Sequence, residues 1–213
     1  MTEPTTPSPA TPQATLEAAL QAALKGRRID ALVIGASAGG IGALLAILPG
    51  LTRPRFPVVV VLHMPEDRDS RLAEVFANHL ALPVRQADDK APLENGVLYF
   101  APPGYHLSVE AERCFSLSQE DPVHFSRPSI DLLMASAADA YGKRLAGMLL
   151  TGASADGAAG LAQIGRAGGL TVAQDPLDAD IPTMPASAIR LRAPDLVLAR
   201  PALRTLLTTL ENL

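Results

Sequence analysis

Short runs of apolar residues recur along the chain, and most are separated by stretches with the three-to-four-residue apolar spacing of a helix. Apolar runs of this length, bounded by small or polar residues, are typical of strands buried on both faces. The predicted strands are 31–34, 57–62, 145–150, 171–174 and 196–198, and the predicted helices are 41–48, 129–141, 158–166 and 201–210. This alternation predicts an α/β fold with a doubly wound, mainly parallel sheet and helices on both faces.

The pattern changes between the second and third predicted strands. A helix is expected at 70–80, and after it two apolar runs, 97–101 and 105–109, flank a Pro-Pro-Gly sequence at 102–104. Proline and glycine favour tight turns, so these runs predict a β-hairpin, with 115–118 as a candidate third strand. The parallel sheet is therefore expected to carry an antiparallel hairpin insert.

Three of the predicted strands are followed by a residue with catalytic chemistry. Ser37 follows the first strand in a turn of small residues, His63 follows the second, and Asp156 follows the strand at 145–150. The carboxyl ends of parallel strands meet at one edge of a sheet, so these side chains are expected in one crevice. Acyl transfer requires a hydroxyl nucleophile, an imidazole that takes its proton, a carboxylate that orients the imidazole, and amides that hold the oxyanion.

Each of these residues also has an ordinary structural interpretation. Ser37 suits a helix N-cap, a histidine at a strand end is often a hydrogen-bonded structural residue, and Asp156 suits the first turn of a helix. The chain order Ser37, His63, Asp156 differs from the orders of the α/β-hydrolase, chymotrypsin and subtilisin groups, and the Gly-x-Ser-x-Gly spacing is absent. A serine hydrolase of a less common group is therefore predicted.

A nucleotide site is the competing interpretation of the first turn, because Gly35, Gly39 and Gly40 could cradle a phosphate. The G-x-G-x-x-G spacing is absent, however, and His63 stands where an acidic residue would hold a ribose. Three aspartates within 175–180 raise the hypothesis of a metal site, but no His or Glu completes a ligand cage there. No cofactor and no metal are expected.

Composition bounds the remaining classes of function. The 213 residues, 48% of them hydrophobic, suffice for the core of one α/β domain, and the net charge of −4 argues against nonspecific nucleic-acid binding. The start of the chain lacks the basic and apolar regions of a signal peptide, and the apolar runs are too short to span a bilayer. We expect a soluble, cytoplasmic protein with no nucleic-acid partner and no direct membrane insertion.

The first 28 residues differ from the rest of the chain. Residues 2–13 are rich in Pro and Thr and lack large apolar side chains, which is typical of a flexible linker. Residues 14–25 have the spacing of a short amphipathic helix, which either packs on the domain or, within 14–26, binds a regulatory partner. The predicted organisation is a flexible segment with a short helix over 1–28 and a catalytic domain over 29–213.

Several motifs, in this order, resemble those of the catalytic domain of the chemotaxis protein-glutamate methylesterases, the CheB type. They are VIGASAGGIGAL at 33–44, VVVLHMP at 59–65, FAPPGYHL at 100–107, RPSID at 127–131, LTGASADGAAGL at 150–161 and MPASAI at 184–189. The resemblance implies hydrolysis of glutamate γ-methyl esters on the cytoplasmic helices of chemoreceptors, with release of methanol, and often deamidation of receptor glutamines. It also implies Ser37 as the nucleophile, His63 as the base and Asp156 as the residue that orients the imidazole.

The same resemblance indicates further site residues and shows departures from the family pattern. The oxyanion and substrate-binding candidates are Ala38, Gly39, Ala153, Arg127 as a cation beside the site, and Met184 at the border of the substrate groove. Ala38 stands where the family usually has Thr, Ala153-Ser154 where Met-Gly is common, and Ser126 where many members have His. These departures leave a receptor-binding module with weak or no turnover as the alternative function.

Members of this family often begin with a phosphoacceptor receiver domain that controls the esterase. Only residues 1–28 precede the catalytic region here, so the chain is expected to lack that domain. It is then expected to be constitutively active, separately inhibited or controlled by a partner, either as a stand-alone enzyme or as a piece of a larger protein.

Overall fold

Seven parallel strands form the central sheet of the computed structural model, which describes residues 12–64 and 71–213. Together with the two strands of a separate pair, the strands of the described residues are β1 (Ala31–Ala36), β2 (Val58–Leu62), β3 (Val84–Gln86), β4 (Leu98–Phe100), β5 (His106–Val109), β6 (Phe115–Ser118), β7 (Leu145–Leu149), β8 (Leu170–Gln174) and β9 (Leu196–Leu198). The sheet has the order β3-β4-β2-β1-β7-β8-β9, and β5 and β6 form a separate antiparallel pair. The predicted parallel sheet with an antiparallel insert is confirmed.

Helices cover both faces of this sheet, as predicted. They are α1 (Pro12–Leu24), α2 (Gly40–Ile47), α3 (Leu72–Ala77), α4 (Ile130–Tyr141), α5 (Ala158–Arg166), α6 (Thr183–Leu191) and α7 (Arg200–Glu211). Buried side chains of α1, α2, α3 and α7 join one hydrophobic core, and those of α4, α5 and α6 join the other. No helix within 12–64 and 71–213 has the length and apolar character needed to cross a bilayer.

The central strands are buried because each face of the sheet contacts one of these cores. Successive side chains of β1 alternate between them: Leu32 and Ile34 join the first core, and Ala31 and Val33 join the second. β1 pairs with β2 on one side and β7 on the other. The chain thus places β2, β3 and β4 on one side of β1 and β7, β8 and β9 on the other, which leaves a crevice beside the end of β1.

The predicted hairpin between 97–101 and 105–109 is wrong in its pairing. β4 lies inside the parallel sheet between β2 and β3, and the antiparallel partner of β5 is β6. All three residues of β4 are buried, because this strand is covered on both faces and has a neighbouring strand on each side. The Pro-Pro-Gly sequence carries the chain out of the sheet instead of reversing it in place.

The predicted N-terminal helix is present as α1, and its apolar side packs on the domain. Leu20 and Leu24 are buried in the same core as α2 and α7. Packing, the first of the two alternatives for this helix, therefore accounts for its apolar stripe. Most of the predicted linker, residues 1–11, lies outside the described residues.

Candidate active site

The three predicted catalytic residues follow three adjacent strands. Ser37 follows β1, His63 follows β2, and Asp156 lies in the loop after β7. Backbone pairing continues one residue past the strand ends, because the Ser37 amide donates to the Thr151 carbonyl and the His63 amide donates to the Ala36 carbonyl, each at 3.0 Å. The sheet itself therefore sets the spacing between these residues.

Asp156 is joined directly to His63. The Nε2 atom of His63 lies 2.9 Å from Oδ2 of Asp156, whose side chain is fully buried while 10% of the His63 side chain is exposed. Asp156 Oδ2 also accepts from the Ile130 amide at 2.7 Å, and Oδ1 accepts from the Asp131 amide and the Ser129 hydroxyl, both at 3.0 Å. The carboxylate is thus held at the N-terminus of α4, where the helix dipole favours negative charge.

These contacts determine the ionisation of the two neighbouring aspartates. Burial acts to raise the pKa of Asp156, but the hydrogen bonds from His63 and from the Asp131 and Ile130 amides hold that pKa below its ordinary value. Burial raises the pKa of Asp131 above its ordinary value, and the neighbouring Asp156 charge adds to this, because the backbone hydrogen bonds from the Gly160 amide, at 2.7 Å, and from the Gly157 amide offset burial only in part. Asp156 is therefore the ionised partner of the imidazole.

The Asp156 contact assigns the roles of the two nitrogens of His63. Because the carboxylate accepts from Nε2–H, the neutral ring carries its lone pair on Nδ1. The Ser126 hydroxyl forms a long hydrogen bond to Nδ1, with its Oγ 3.4 Å away. Within the described residues, Ser37 Oγ forms no hydrogen bond to His63, and such contacts commonly tighten only when substrate is bound.

Ser37 and His63 nevertheless face the same cleft. The cleft has a volume of about 290 Å³ and is lined by Ser37, Ala38, Gly39, Gly40, Ile41, Gly42, Leu62, His63, Met64 and Asp180. Ser37 is half-buried at its base, and Ala38 and Gly39 are exposed. The space suits one extended side chain of a larger substrate.

Free amides are present at the turn between β1 and α2. In the described part of the chain, the amides of Ala38 and Gly39 donate to no protein group, whereas the Ser37 amide is engaged by Thr151. Gly39 has a φ of +80°, and a Cβ there would lie 2.8 Å from Oδ2 of Asp180. The left-handed φ favours glycine in this turn, and the two free amides lie at the N-terminus of a helix, in residues that line the cleft.

Thr151 ties this turn to the loop after β8. Its hydroxyl donates to the Ala38 carbonyl at 2.9 Å and accepts from the Ile181 amide at 2.9 Å. Its own amide donates to the buried side chain of Gln174 at 2.9 Å. Sequence reasoning did not find Thr151 as a site residue, although its place directly after β7 beside the Asp156 motif was a signal.

The loop at 175–182 holds its carboxylates with protein donors. Asp178 accepts from the Gln174 amide group at 2.8 Å and from the Arg200 guanidinium at 3.1 Å. Asp180 lies over Gly39, with its side chain 3.5 Å from Arg200. Asp178 is thus a loop anchor, and Asp180 is an acidic residue of the cleft, which sequence reasoning considered only as part of a metal site.

The other predicted site residues, Met184, Ala153 and Arg127, are not among the residues that line the cleft. Met184 is fully buried with its thioether against Gly152. Ala153 is exposed in the loop after β7. Arg127 donates to the carbonyls of Gln119 and Glu120, both at 3.1 Å, and does not line the cleft with Ser37. The expected cation beside the site therefore serves instead to hold the loop before α4.

A buried histidine that sequence reasoning missed positions Ser129. His106 Nδ1 accepts from the Ser129 amide, and its Nε2 donates to the Asp121 carbonyl, both at 3.1 Å. Ser129 in turn donates to Asp156 and caps α4. His106 is thus linked to the Asp156 carboxylate through Ser129, and its occurrence in the FAPPGYHL motif was the available signal.

Comparison with known proteins agrees with this geometry. The profile of the CheB methylesterase family matches residues 32–207. The chain belongs to this family. The crystal structure of the Thermotoga maritima CheB methylesterase catalytic domain is similar to it with a TM-score of 0.82 and 31% identity, covering 85% of this chain and 98% of that one. The family and fold that the motifs implied are confirmed.

Three similar proteins share the same functional name. A putative protein-glutamate methylesterase/protein-glutamine glutaminase of Leptospira interrogans is 42% identical over 86% of this chain and 95% of its own length. Proteins named protein-glutamate methylesterase/protein-glutamine glutaminase from Anaeromyxobacter dehalogenans and Hahella chejuensis are 44% and 38% identical over 80% and 78% of this chain. The chain spans about half the length of these last two, 50% and 47% respectively.

Proposed function

We propose that this CheB-family enzyme hydrolyses γ-methyl esters of glutamyl residues on the cytoplasmic helices of chemoreceptors, with Ser37 as the nucleophile. The observation that carries the proposal is the buried pair of Asp156 and His63, 2.9 Å apart, beside a cleft that also contains Ser37. Nucleophile, base and orienting carboxylate then come from three neighbouring strand ends, as a serine hydrolase requires. The names of the similar proteins indicate that the ester is a methyl ester of a glutamate in a protein.

In the acylation step, Ser37 Oγ attacks the γ-carbonyl carbon of the ester, and its proton passes to Nδ1 of His63. Asp156 keeps Nε2 protonated and stabilises the imidazolium that forms. The amides of Ala38 and Gly39 hold the negative oxygen of the tetrahedral intermediate. His63 then returns the proton to the departing methoxide, which leaves as methanol and generates an acyl-enzyme at Ser37.

In the deacylation step, a water molecule attacks the acyl carbon and gives its proton to Nδ1 of His63. The second tetrahedral intermediate uses the same two amides, and its collapse returns the proton to Ser37 Oγ. The product is a free glutamate carboxylate on the protein substrate. Neither step requires a metal or a cofactor, since each proton and electron pair is carried by these residues and water.

Deamidation of glutamine is a second proposed activity of the same site, and the glutaminase in the names of the similar proteins favours it. The amide differs from the ester only in its leaving group, which His63 would protonate to release ammonia. Ammonia release from a receptor fragment that carries glutamine at the modified positions tests this activity. It is expected to disappear in Ser37→Ala together with methanol release.

The proposed catalytic unit is 29–213, and α1 is an attached element packed on its core. The family match over 32–207 supports this boundary, as does the burial of Leu20 and Leu24 against the domain. The proposed place of action is the cytoplasm, where the signalling helices of chemoreceptors lie.

The test separates catalysis from binding. Purified chain is mixed with a chemoreceptor cytoplasmic fragment that carries radiolabelled methyl esters, and released methanol is measured beside binding of the fragment. Methanol release by the wild type and its loss in Ser37→Ala, with binding retained, supports the proposal. Binding without methanol release in the wild type would instead establish the alternative, a receptor-binding module of the same fold.

A further inference from the structure

Two large apolar side chains are far more exposed than the others in the described part of the chain. Phe125 is as exposed as in an extended peptide (104%), Leu177 is 96% exposed, and the next, Leu191, is 56% exposed. Single exposed apolar residues are ordinary on protein surfaces. These two differ because each belongs to a loop that also supplies a residue to the catalytic site.

Phe125 lies at the tip of a tight hairpin beside the base. Val123 and Ser126 exchange two backbone hydrogen bonds, of 2.9 and 3.1 Å, and Ser126 Oγ is the group 3.4 Å from Nδ1 of His63. The two residues between them, His124 and Phe125, have φ values of 50° and 61°. Two such turn residues usually include Asn or Gly, so an aromatic residue here is uncommon.

The backbone of this hairpin holds the Phe125 ring away from both hydrophobic cores. His124 is anchored, with its Nε2 3.6 Å from Oδ2 of Asp131 in α4. The turn conformation is one that a phenylalanine adopts at a cost, and the folded chain gains no burial of the ring in return. A contact with another molecule would supply that burial.

Leu177 is the exposed apolar residue of a second loop next to the cleft. It lies in 175–182, the loop whose Asp180 lines the cleft with Ser37. Asp178 fixes this loop through Gln174 and Arg200, so the exposed leucine is carried on a well-anchored segment. Both loops lie at the carboxyl edge of the sheet, the hairpin through the Ser126 contact with His63 and the 175–182 loop directly after β8, which neighbours β7.

The size of the cleft limits how much of a protein substrate can enter it, and so which parts of the substrate remain outside near Phe125 and Leu177. A volume of about 290 Å³ accommodates one extended side chain, so the backbone and neighbouring residues of a protein substrate must lie outside it, on the rim. We propose that Phe125 and Leu177 are docking contacts for apolar side chains of the protein segment that carries the esterified glutamate. This inference rests on the proposed function and adds the residues that distinguish a protein ester from a small one.

A fluorescence measurement tests the Phe125 contact directly, because the chain contains no tryptophan. Phe125→Trp is prepared together with Ser37→Ala, which prevents turnover, and is mixed with a tryptophan-free, methylated chemoreceptor cytoplasmic fragment. We expect the emission to shift to shorter wavelength as the indole leaves water. Leu213→Trp is the matched control, since Leu213 is 55% exposed at the end of α7, whose Glu211 contacts Thr52 at the opposite edge of the sheet.

A kinetic measurement tests both contacts. Phe125→Ser and Leu177→Ser are each expected to lower kcat/KM for the methylated fragment about tenfold, mainly through KM, which corresponds to roughly 1.4 kcal/mol. Hydrolysis of p-nitrophenyl acetate, which needs only the cleft, is expected to stay within about twofold of wild type. Leu213→Ser should leave both rates unchanged.

The outcomes separate this inference from the proposed function. Demethylation by the wild type without a shift in Phe125→Trp, or with undiminished rates in the two serine variants, would overturn the docking contacts alone. Equal losses on the fragment and on the small ester would also overturn them, because the hairpin would then act through His63. A fluorescence shift without methanol release from the wild type would overturn the proposed function and keep the docking contacts.

Discussion

His63 uses both ring nitrogens, and the two contacts have different consequences. Nε2 binds the buried Asp156, whereas Nδ1 is 3.4 Å from a serine that the motifs did not assign to the site, Ser126. The choice of Ser37 over Ser126 as the nucleophile therefore needs a chemical test. Ser37 lies beside the free amides of Ala38 and Gly39, which a nucleophile requires for its oxyanion.

Ser126→Ala is expected to retain most of the methylesterase activity, within about threefold of wild type, since it removes one long contact to Nδ1. Ser37→Ala, the matched removal of a hydroxyl, is expected to lower the rate of methanol release by orders of magnitude. The initial rate on a methylated receptor fragment is the measurement. The reverse ranking of the two variants would assign the nucleophile to Ser126.

Asp156→Asn is expected to lower stability as well as turnover. The carboxylate accepts from two backbone amides at the start of α4, and an amide group cannot accept from all of these donors. The expected loss in the free energy of unfolding is about 1–3 kcal/mol. Urea denaturation measures it, with Ser37→Ala as the control that should unfold like wild type.

The same residue gives a pH dependence. Because the pKa of Asp156 is lowered from 3.8 on folding, its contribution to stability is present above pH 3.8 and is lost as pH falls through the lowered pKa. Wild type should therefore lose stability in this acid range, and Asp156→Asn should lose less over the same range. A parallel decline of both proteins in urea denaturation would contradict the structural role of the carboxylate.

At the scale of the elements, the turn between β1 and α2 was predictable and the pairing of β4 was not. The string of small residues around Ser37 specifies a close turn, and the glycine at φ +80° confirms it. Apolar runs alone cannot decide whether β4 pairs with the strand after it or enters the sheet. That choice depends on burial of both faces of β4, a property of the assembled sheet.

A glycine of this turn and a glycine of α2 provide a matched pair of substitutions. Gly39→Ala should lower the free energy of unfolding by about 1–2 kcal/mol or more, because φ is +80° and a Cβ would approach Asp180 to 2.8 Å. Gly42→Ala, three residues on, meets no atom within 4 Å and should be neutral or stabilising by up to about 1 kcal/mol. Thermal denaturation of the two variants distinguishes them, and equal stability would contradict this turn geometry.

At the scale of the whole molecule, the sheet order explains how three residues predicted from motifs come to lie at neighbouring strand ends. Their positions depend on β2, β1 and β7 being neighbours, and buried parallel strands make this arrangement a common one. His106, Ser129 and Thr151 were missed because their roles arise from contacts between segments distant in sequence. Backbone-to-side-chain contacts of this kind leave no periodic signal.

The packing of α1 gives a prediction for the whole fold. Leu24→Ala should lower the free energy of unfolding by about 2–5 kcal/mol, because Leu24 is buried in the hydrophobic core that also contains side chains of α2 and α7. Gln21→Ala, on the exposed side of the same helix, is the control and should change it little. Unchanged urea denaturation of Leu24→Ala would show that α1 is free for a partner.

The central claim is that Ser37 and His63 act in one chemical step. The most direct measurement is the rate of methanol release from a methylated receptor fragment by Ser37→Ala, His63→Ala and the variant with both changes. Because members of a triad act as a unit, the double variant is expected to be scarcely slower than either single variant, all of them orders of magnitude below wild type. A double variant whose loss equals the product of the two single losses would show independent roles and contradict the claim.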